Sequence, residues 1–108
     1  MKRILFHGRT LDVIRAFPEV VRHEVGHQLE RVQRGLFPLD WKPMSTIGCG
    51  VREIRIHAGG QYRVIYITKY KDAVHVLHAF NKKTRITSKH DIKMARDALR
   101  RIQTRYRK

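Results

Sequence analysis

Apolar residues recur along this chain at two different spacings, and the changes between them mark the elements. Val21, Val25, Leu29 and Val32 repeat at helical spacing and predict a helix from about Pro18 to Arg34. Proline suits a first helical turn and Gly35 suits the C-cap. Leu11–Ala16 is a shorter helix ahead of it. Ile92, Ala95, Leu99, Ile102 and Tyr106 form a second stripe, with Ser88 as N-cap and Asp91 completing a capping box. The other spacing is two. Val51–His57 alternates, with Ile54 and Ile56 on one face and Glu53, Arg55 and His57 on the other. Gln61–Thr68 and Ala73–Asn81 are apolar on both faces, apart from Arg63 in the first, as strands inside a covered sheet are. Gly59-Gly60 and Lys69–Asp72 supply the turns, and Lys2–His7 is a short opening strand closed by Gly8. The predicted order is β-α-α-β-β-β-α, an α+β sandwich of helices against one antiparallel sheet, forming a single domain over residues 1–108. Leu36–Gly50 is left as a loop, long enough for a compact domain to suggest a task of its own.

Charge turns this fold into a functional question. Lys and Arg number 24 against 9 Asp and Glu, a net +15. Solubility needs far less, and the excess costs stability through self-repulsion. Nucleic acid, an anionic membrane surface or an acidic protein would receive such a field, and RNA is the expected partner. Residues 82–108 hold a net +9 and residues 1–81 a net +6. Lys89, Lys93, Arg96 and Arg100 lie off the apolar stripe of the last helix and are expected to bind RNA. Cys49 is the only cysteine, which excludes an internal disulfide and a Cys-rich zinc site. Neither a signal peptide nor a membrane-length apolar run is visible, and a cytoplasmic setting is expected.

The most conspicuous motif is His23-Glu24-Val25-Gly26-His27, an H-E-x-x-H on a predicted helix. In zinc proteases the two histidines bind the metal and the glutamate activates water. Here both histidines lie opposite the buried stripe, and Gln33 stands where a third ligand would follow. The expectation is therefore two solvated histidines and no metal.

The strand cations are more informative. Arg52 and Arg55 lie on one strand, Arg63 on the next, and the last ends in Asn81-Lys82-Lys83; antiparallel pairing is expected to gather them on one face. Arg63 interrupts an apolar strand, where a cation is costly unless it is paired or faces a polar cleft. An ion pair with Glu53 could hold Arg63 or Arg55 in place and is compatible with function. His78 is placed on a face with Val74, Val76 and Phe80, either as a hydrogen-bonded core histidine or as an acid or base working near neutral pH. Tyr62 and Tyr66 share a face with Val64; packing or stacking of a splayed base would each suit them.

Three segments in order, Gly50-Val51-Arg52-Glu53-Ile54-Arg55, Gly60-Gln61-Tyr62-Arg63-Val64-Ile65-Tyr66 and Val76-Leu77-His78-Ala79-Phe80-Asn81-Lys82-Lys83-Thr84, resemble the RelE/HigB toxin superfamily and most of all its phage-derived HigB-like branch. The resemblance implies a RelE-like fold and the toxin of a type II toxin–antitoxin pair. It implies a ribosome-dependent mRNA interferase that inhibits translation, with mRNA, ribosomal RNA and a helix-turn-helix antitoxin as partners in a hetero-oligomer. Arg63 matches the arginine of the family's G-x-Y-R segment, and Arg55, Lys82 and Lys83 match basic positions around the site. His78 and Tyr66 are the expected acid–base residues, with Arg52 on the RNA path. No cofactor is implied, because RNA carries its own nucleophile in the 2′-hydroxyl. A gyrase-directed, ParE-like toxin on the same fold and a plain RNA-binding module are the alternatives, since fold does not fix function.

Overall fold

A computed structural model describes residues 1–107. The elements are β1 (Arg3–Phe6), α1 (Thr10–Arg15), α2 (Glu19–Gln33), β2 (Trp41–Pro43), β3 (Arg52–His57), β4 (Gln61–Ile67), β5 (Ala73–Asn81) and α3 (Lys89–Arg105). They form an α+β fold around one five-stranded sheet in the order β1-β5-β4-β3-β2. The helix ends have the local causes read from the sequence. Gly35, at φ +84°, closes α2 in a Schellman arrangement, its N–H donating to the Val32 carbonyl and that of Leu36 to the Arg31 carbonyl. The Asp91 N–H donates to Ser88 Oγ at 3.1 Å and starts α3.

Helices cover both faces of the sheet. On one face α1 and α2 pack Ile14, Val21, Val25, Leu29 and Val32 against Ile54, Ile56, Val64, Tyr66, Val74 and Val76. On the other, α3 packs Ala95, Ala98, Leu99 and Ile102 against Val51, Ile65, Ile67 and Leu77, with Met44 and Ile47 closing one side. This two-sided burial is why β4 and β5 are apolar on both faces.

Three features differ from the sequence expectation. The sheet is mixed: β3, β4 and β5 form the antiparallel meander, but β1 runs parallel to β5, pairing Arg3 with Ala73 and Phe6 with Val76. Strand direction across such a long connection is decided by how the intervening helices pack. Within the 36–50 loop, Trp41-Lys42-Pro43 adds an edge strand to β3. Three residues carry no readable alternation, and proline is tolerated there because the strand is at the edge. Finally, β5 has a bulge: Ile65 pairs with His78 and Tyr66 with Val76, leaving Leu77 extra. The bulge reverses the alternation. Val74, Val76 and Ala79 face α1 and α2, and Leu77 and Phe80 belong to the α3 side. His78 shares that side, stacked on Phe80 and bonded to Asp91 of α3, so it is not on the face of Val74 and Val76.

At the β1–β5 junction, buried His75 lies 2.7 Å from the Tyr70 carbonyl through Nε2 and 2.8 Å from His7 Nε2 through Nδ1. A carbonyl only accepts, so His75 Nε2 carries the proton and His7 Nε2 donates to His75 Nδ1. Burial, then His75, Arg105 and Arg101, lower the His7 pKa from 6.5 to about 4. The unfolded chain therefore binds the extra proton first, and stability falls as pH drops from 6.5 towards 4, by at most ~3 kcal/mol before solvent screening reduces it. Urea melts across this range should show the loss, and His7→Gln, which keeps a donor but cannot charge, should flatten it.

Candidate functional site

The face of the sheet under α3 is only partly covered. Strand alternation places Glu53 and Arg55 of β3, Arg63 of β4 and Phe80 of β5 on it, beyond the apolar patch under Ala95–Ile102. Lys42 of β2 pairs with Glu53 and joins the same face, and Lys82 continues the ladder through its N–H to the Gln61 carbonyl. Four cations thus gather around one buried carboxylate.

Glu53 is 0 % exposed and Arg63 is 3 % exposed. Arg63 Nε lies 3.6 Å from Glu53 Oε1, and Lys42 Nζ lies 4.0 Å from the same oxygen. Thr87 donates to Glu53 Oε2 at 3.2 Å, which brings the 82–88 segment back over the sheet. Arg63 is held further by Nη1 donating to the Tyr62 carbonyl at 3.0 Å and Nη2 to Gln61 Oε1 at 3.3 Å. Burial lowers the Arg63 pKa, Glu53 opposes this, and Arg55 adds to it. Lys82 is pushed below its ordinary value by burial and by Arg63, Lys42 and Arg55, with Glu53 opposing. Glu53 Oε1, Arg55 Nε and Arg63 Nε are buried without a hydrogen-bond partner among the described residues. Arg63 Nε and Glu53 Oε1 face each other across 3.6 Å inside the protein, and the half-buried Lys42, Arg55 and Lys82 around them form a positively charged cradle for an oxyanion.

The arrangement brings together Arg55, Arg63 and Lys82 of the residues expected from the sequence, and it adds Lys42 and Thr87. Lys83 is exposed in the turn beyond Lys82. His78 Nε2 lies 2.7 Å from Asp91 Oδ1, and Asp91 also accepts from Ser88, so the histidine is clamped to the start of α3. Two expectations fail on geometry. Arg52 does not share a face with Arg55 and Arg63: it lies three residues from Arg55, an odd step, and stacks on Phe37 and Trp41 across the sheet. Tyr66 is fully buried beneath α1 and α2, where burial raises its pKa, and it has no surface on which a base could stack. Tyr62 is buried too, edge-on to Phe17. Lys89, Lys93, Arg96 and Arg100 are exposed on the outer side of α3, although Lys93 pairs with Asp97 and Arg96 donates to the Thr46 carbonyl. Lys42 was missed because it sits in a segment without periodicity; the only signal was a lysine flanked by tryptophan and proline.

His23 and His27 are exposed on α2, and no group of three or more metal-capable side chains occurs among the described residues. No helix is long and apolar enough to cross a membrane. The wider clefts lie elsewhere, one of them beside Lys2, Gly35 and Asp72.

The model of a family described as phage-derived protein Gp49-like (DUF891) matches residues 12–100. This chain belongs to that family. Gp49-like proteins are associated with RelE/HigB-like toxins of toxin–antitoxin pairs, and that association brings an antitoxin partner with it. Comparison with curated proteins returned no match. In this Gp49-like chain the matched span includes every residue of the cation cluster.

Lys82 should titrate below the other lysines, because neighbouring cations and burial both disfavour its charged form. NMR of lysine side-chain amines across alkaline pH would resolve it. Phosphate should move its midpoint back up, since an anion in the cradle restores the charged state.

Proposed function

We propose that this Gp49-like protein is a toxin that cuts messenger RNA in the ribosome, as in the HigB-like branch, and is neutralised by a helix-turn-helix antitoxin. The observation that carries the reading is the gathering of half-buried Lys42, Arg55 and Lys82 around the buried Arg63–Glu53 pair, more positive charge than one carboxylate neutralises. A phosphodiester is the anion that supplies both the opposite charge and a reaction. The 2′-hydroxyl loses its proton and bonds to phosphorus, the bond to the 5′-oxygen breaks, and the 5′-oxygen takes a proton. Charge grows on the non-bridging oxygens at the crowded phosphorus, where Arg55 would meet it, with the buried Arg63–Glu53 pair holding the cluster in place. Losing one such preorganised donor costs on the order of 3 kcal/mol of transition-state stabilisation. Lys82, made more acidic by its neighbours, is the proton donor to the leaving oxygen. His78 is the base: Asp91 fixes its Nε2 proton and leaves Nδ1 with a free lone pair. The reaction needs no metal, because the nucleophile is part of the substrate. The ribosome supplies alignment that so open a surface does not. The basic outer face of α3, with Lys89, Lys93, Arg96 and Arg100, serves as the contact to ribosomal RNA, and Lys83 extends it.

Induction of the chain in bacteria should arrest growth and create new message ends on translated RNAs. Arg55→Ala and Lys82→Ala should abolish both effects with little change in melting. Arg63→Ala should also abolish them but lose ~3–5 kcal/mol of stability, because it strands Glu53 as a buried charge. Arg63→Met combined with Glu53→Met should recover much of that stability and remain inactive. Intact messages accompanied by DNA damage would assign the toxin to gyrase instead.

A further inference from the structure

On the other side of the β2 edge lies a second feature that the cleavage site does not use. Phe37 and Trp41 stack with ring centroids 5.0 Å apart and planes 7° from parallel. Arg52 Cζ lies 4.8 Å from the Phe37 centroid and 5.4 Å from that of Trp41. Those three distances form a nearly equilateral triangle. The guanidinium therefore flanks the step between the rings instead of capping the stack, and the outer side of Phe37 is left open. Phe37 is 51 % exposed.

The platform is held rigidly. The Leu39 N–H donates to Oε1 of buried Gln28 at 2.8 Å, and Arg31 Nε donates to the Phe37 carbonyl at 3.0 Å. Beside it, a cleft of about 110 Å³ has Phe37, Arg52, Val32, Leu36 and Lys2 in its lining, Lys2 pairing with Asp72. An exposed aromatic face next to cations fits an aromatic anion, which describes a nucleotide: the base stacks while its phosphate meets the cations. The chain's net +15 favours the same ligand.

We propose that the Phe37–Trp41–Arg52 stack binds an unpaired base of a single RNA strand that wraps the β2 edge into the cation cluster. The edge strand is built for that path. Neighbouring Trp41 and Lys42 project to opposite faces of the sheet, Trp41 to the platform and Lys42 to Glu53. Arg52 and Arg55 repeat the arrangement on β3, roughly 10 Å apart along the strand. The inference rests on RNA as the ligand but not on RNA being cut.

Trp41 is the only tryptophan, so its fluorescence reports the platform directly. The probe is a six-residue single-stranded 2′-O-methyl oligoribonucleotide, which has no free 2′-hydroxyl and cannot be cleaved. It should quench the emission of the full-length protein saturably, and inorganic polyphosphate of matching charge should not. Phe37→Ala should weaken oligonucleotide binding on the order of tenfold, and Phe37→Tyr should restore it. Equal quenching by polyphosphate, or binding without quenching, would overturn the proposal, and neither result depends on a variant folding. Wild-type RNA affinity in Phe37→Ala, with affinity for the antitoxin lost, would overturn it too and give the patch to a protein partner. A protein that cuts no message yet shows base-dependent quenching would refute the cleavage reading alone.

Discussion

The buried carboxylate of Glu53 is the constraint on which the cation cluster depends. A charge removed from water is tolerated only when opposite charge and hydrogen bonds replace the lost solvation. Arg63, Lys42 and Thr87 do so here, each from a different segment. One side chain thus fixes the ends of β2, β3 and β4 relative to the segment leading into α3. The compensation overshoots, because Arg55 and Lys82 also lie within its field. Glu53 assembles the cations and leaves them with more positive charge than it can neutralise. That surplus favours a bound oxyanion.

The rest of the fold explains why this cluster stays open. The apolar stripe of α3 covers Val51, Ile65, Ile67 and Leu77 and stops short of the ends of β3 and β4. The capping box of Ser88 and Asp91 sets where the helix begins, and Asp91 uses its other contact to hold His78. The bulge at Leu77 makes this contact possible. Without the extra residue, His78 would point with Val74 and Val76 into the opposite core. Bulges that re-aim one side chain are common next to functional sites, and this one turns a histidine from the core under α1 and α2 to Asp91 at the start of α3.

Membership of the Gp49-like family and the basic cluster point in the same direction by independent routes, one through the pattern of the whole chain and one through the electrostatics of a few side chains. The +15 charge then separates into parts with different geometry. Glu53 organises the cations of the cluster, and those of α3 face outward along a helix. Arg52 is separated from both by the thickness of the sheet and is stabilised by aromatic rings instead of a carboxylate.

By itself the sequence determined the helices, the antiparallel meander and the depth at which each strand is buried. Those properties depend on periodicity, caps and turns, which are local. The Arg63–Glu53 pair was also foreseeable, because an isolated cation in an apolar strand demands a partner. Only the tertiary structure decided the parallel pairing of β1, the edge strand at Trp41–Pro43 and the side on which His78 lies. Each depends on contacts between segments distant along the chain, or on one extra residue that reverses the alternation. A one-residue shift moves a side chain to the other face of a sheet, so a reading based on period two assigns faces correctly only up to the first bulge.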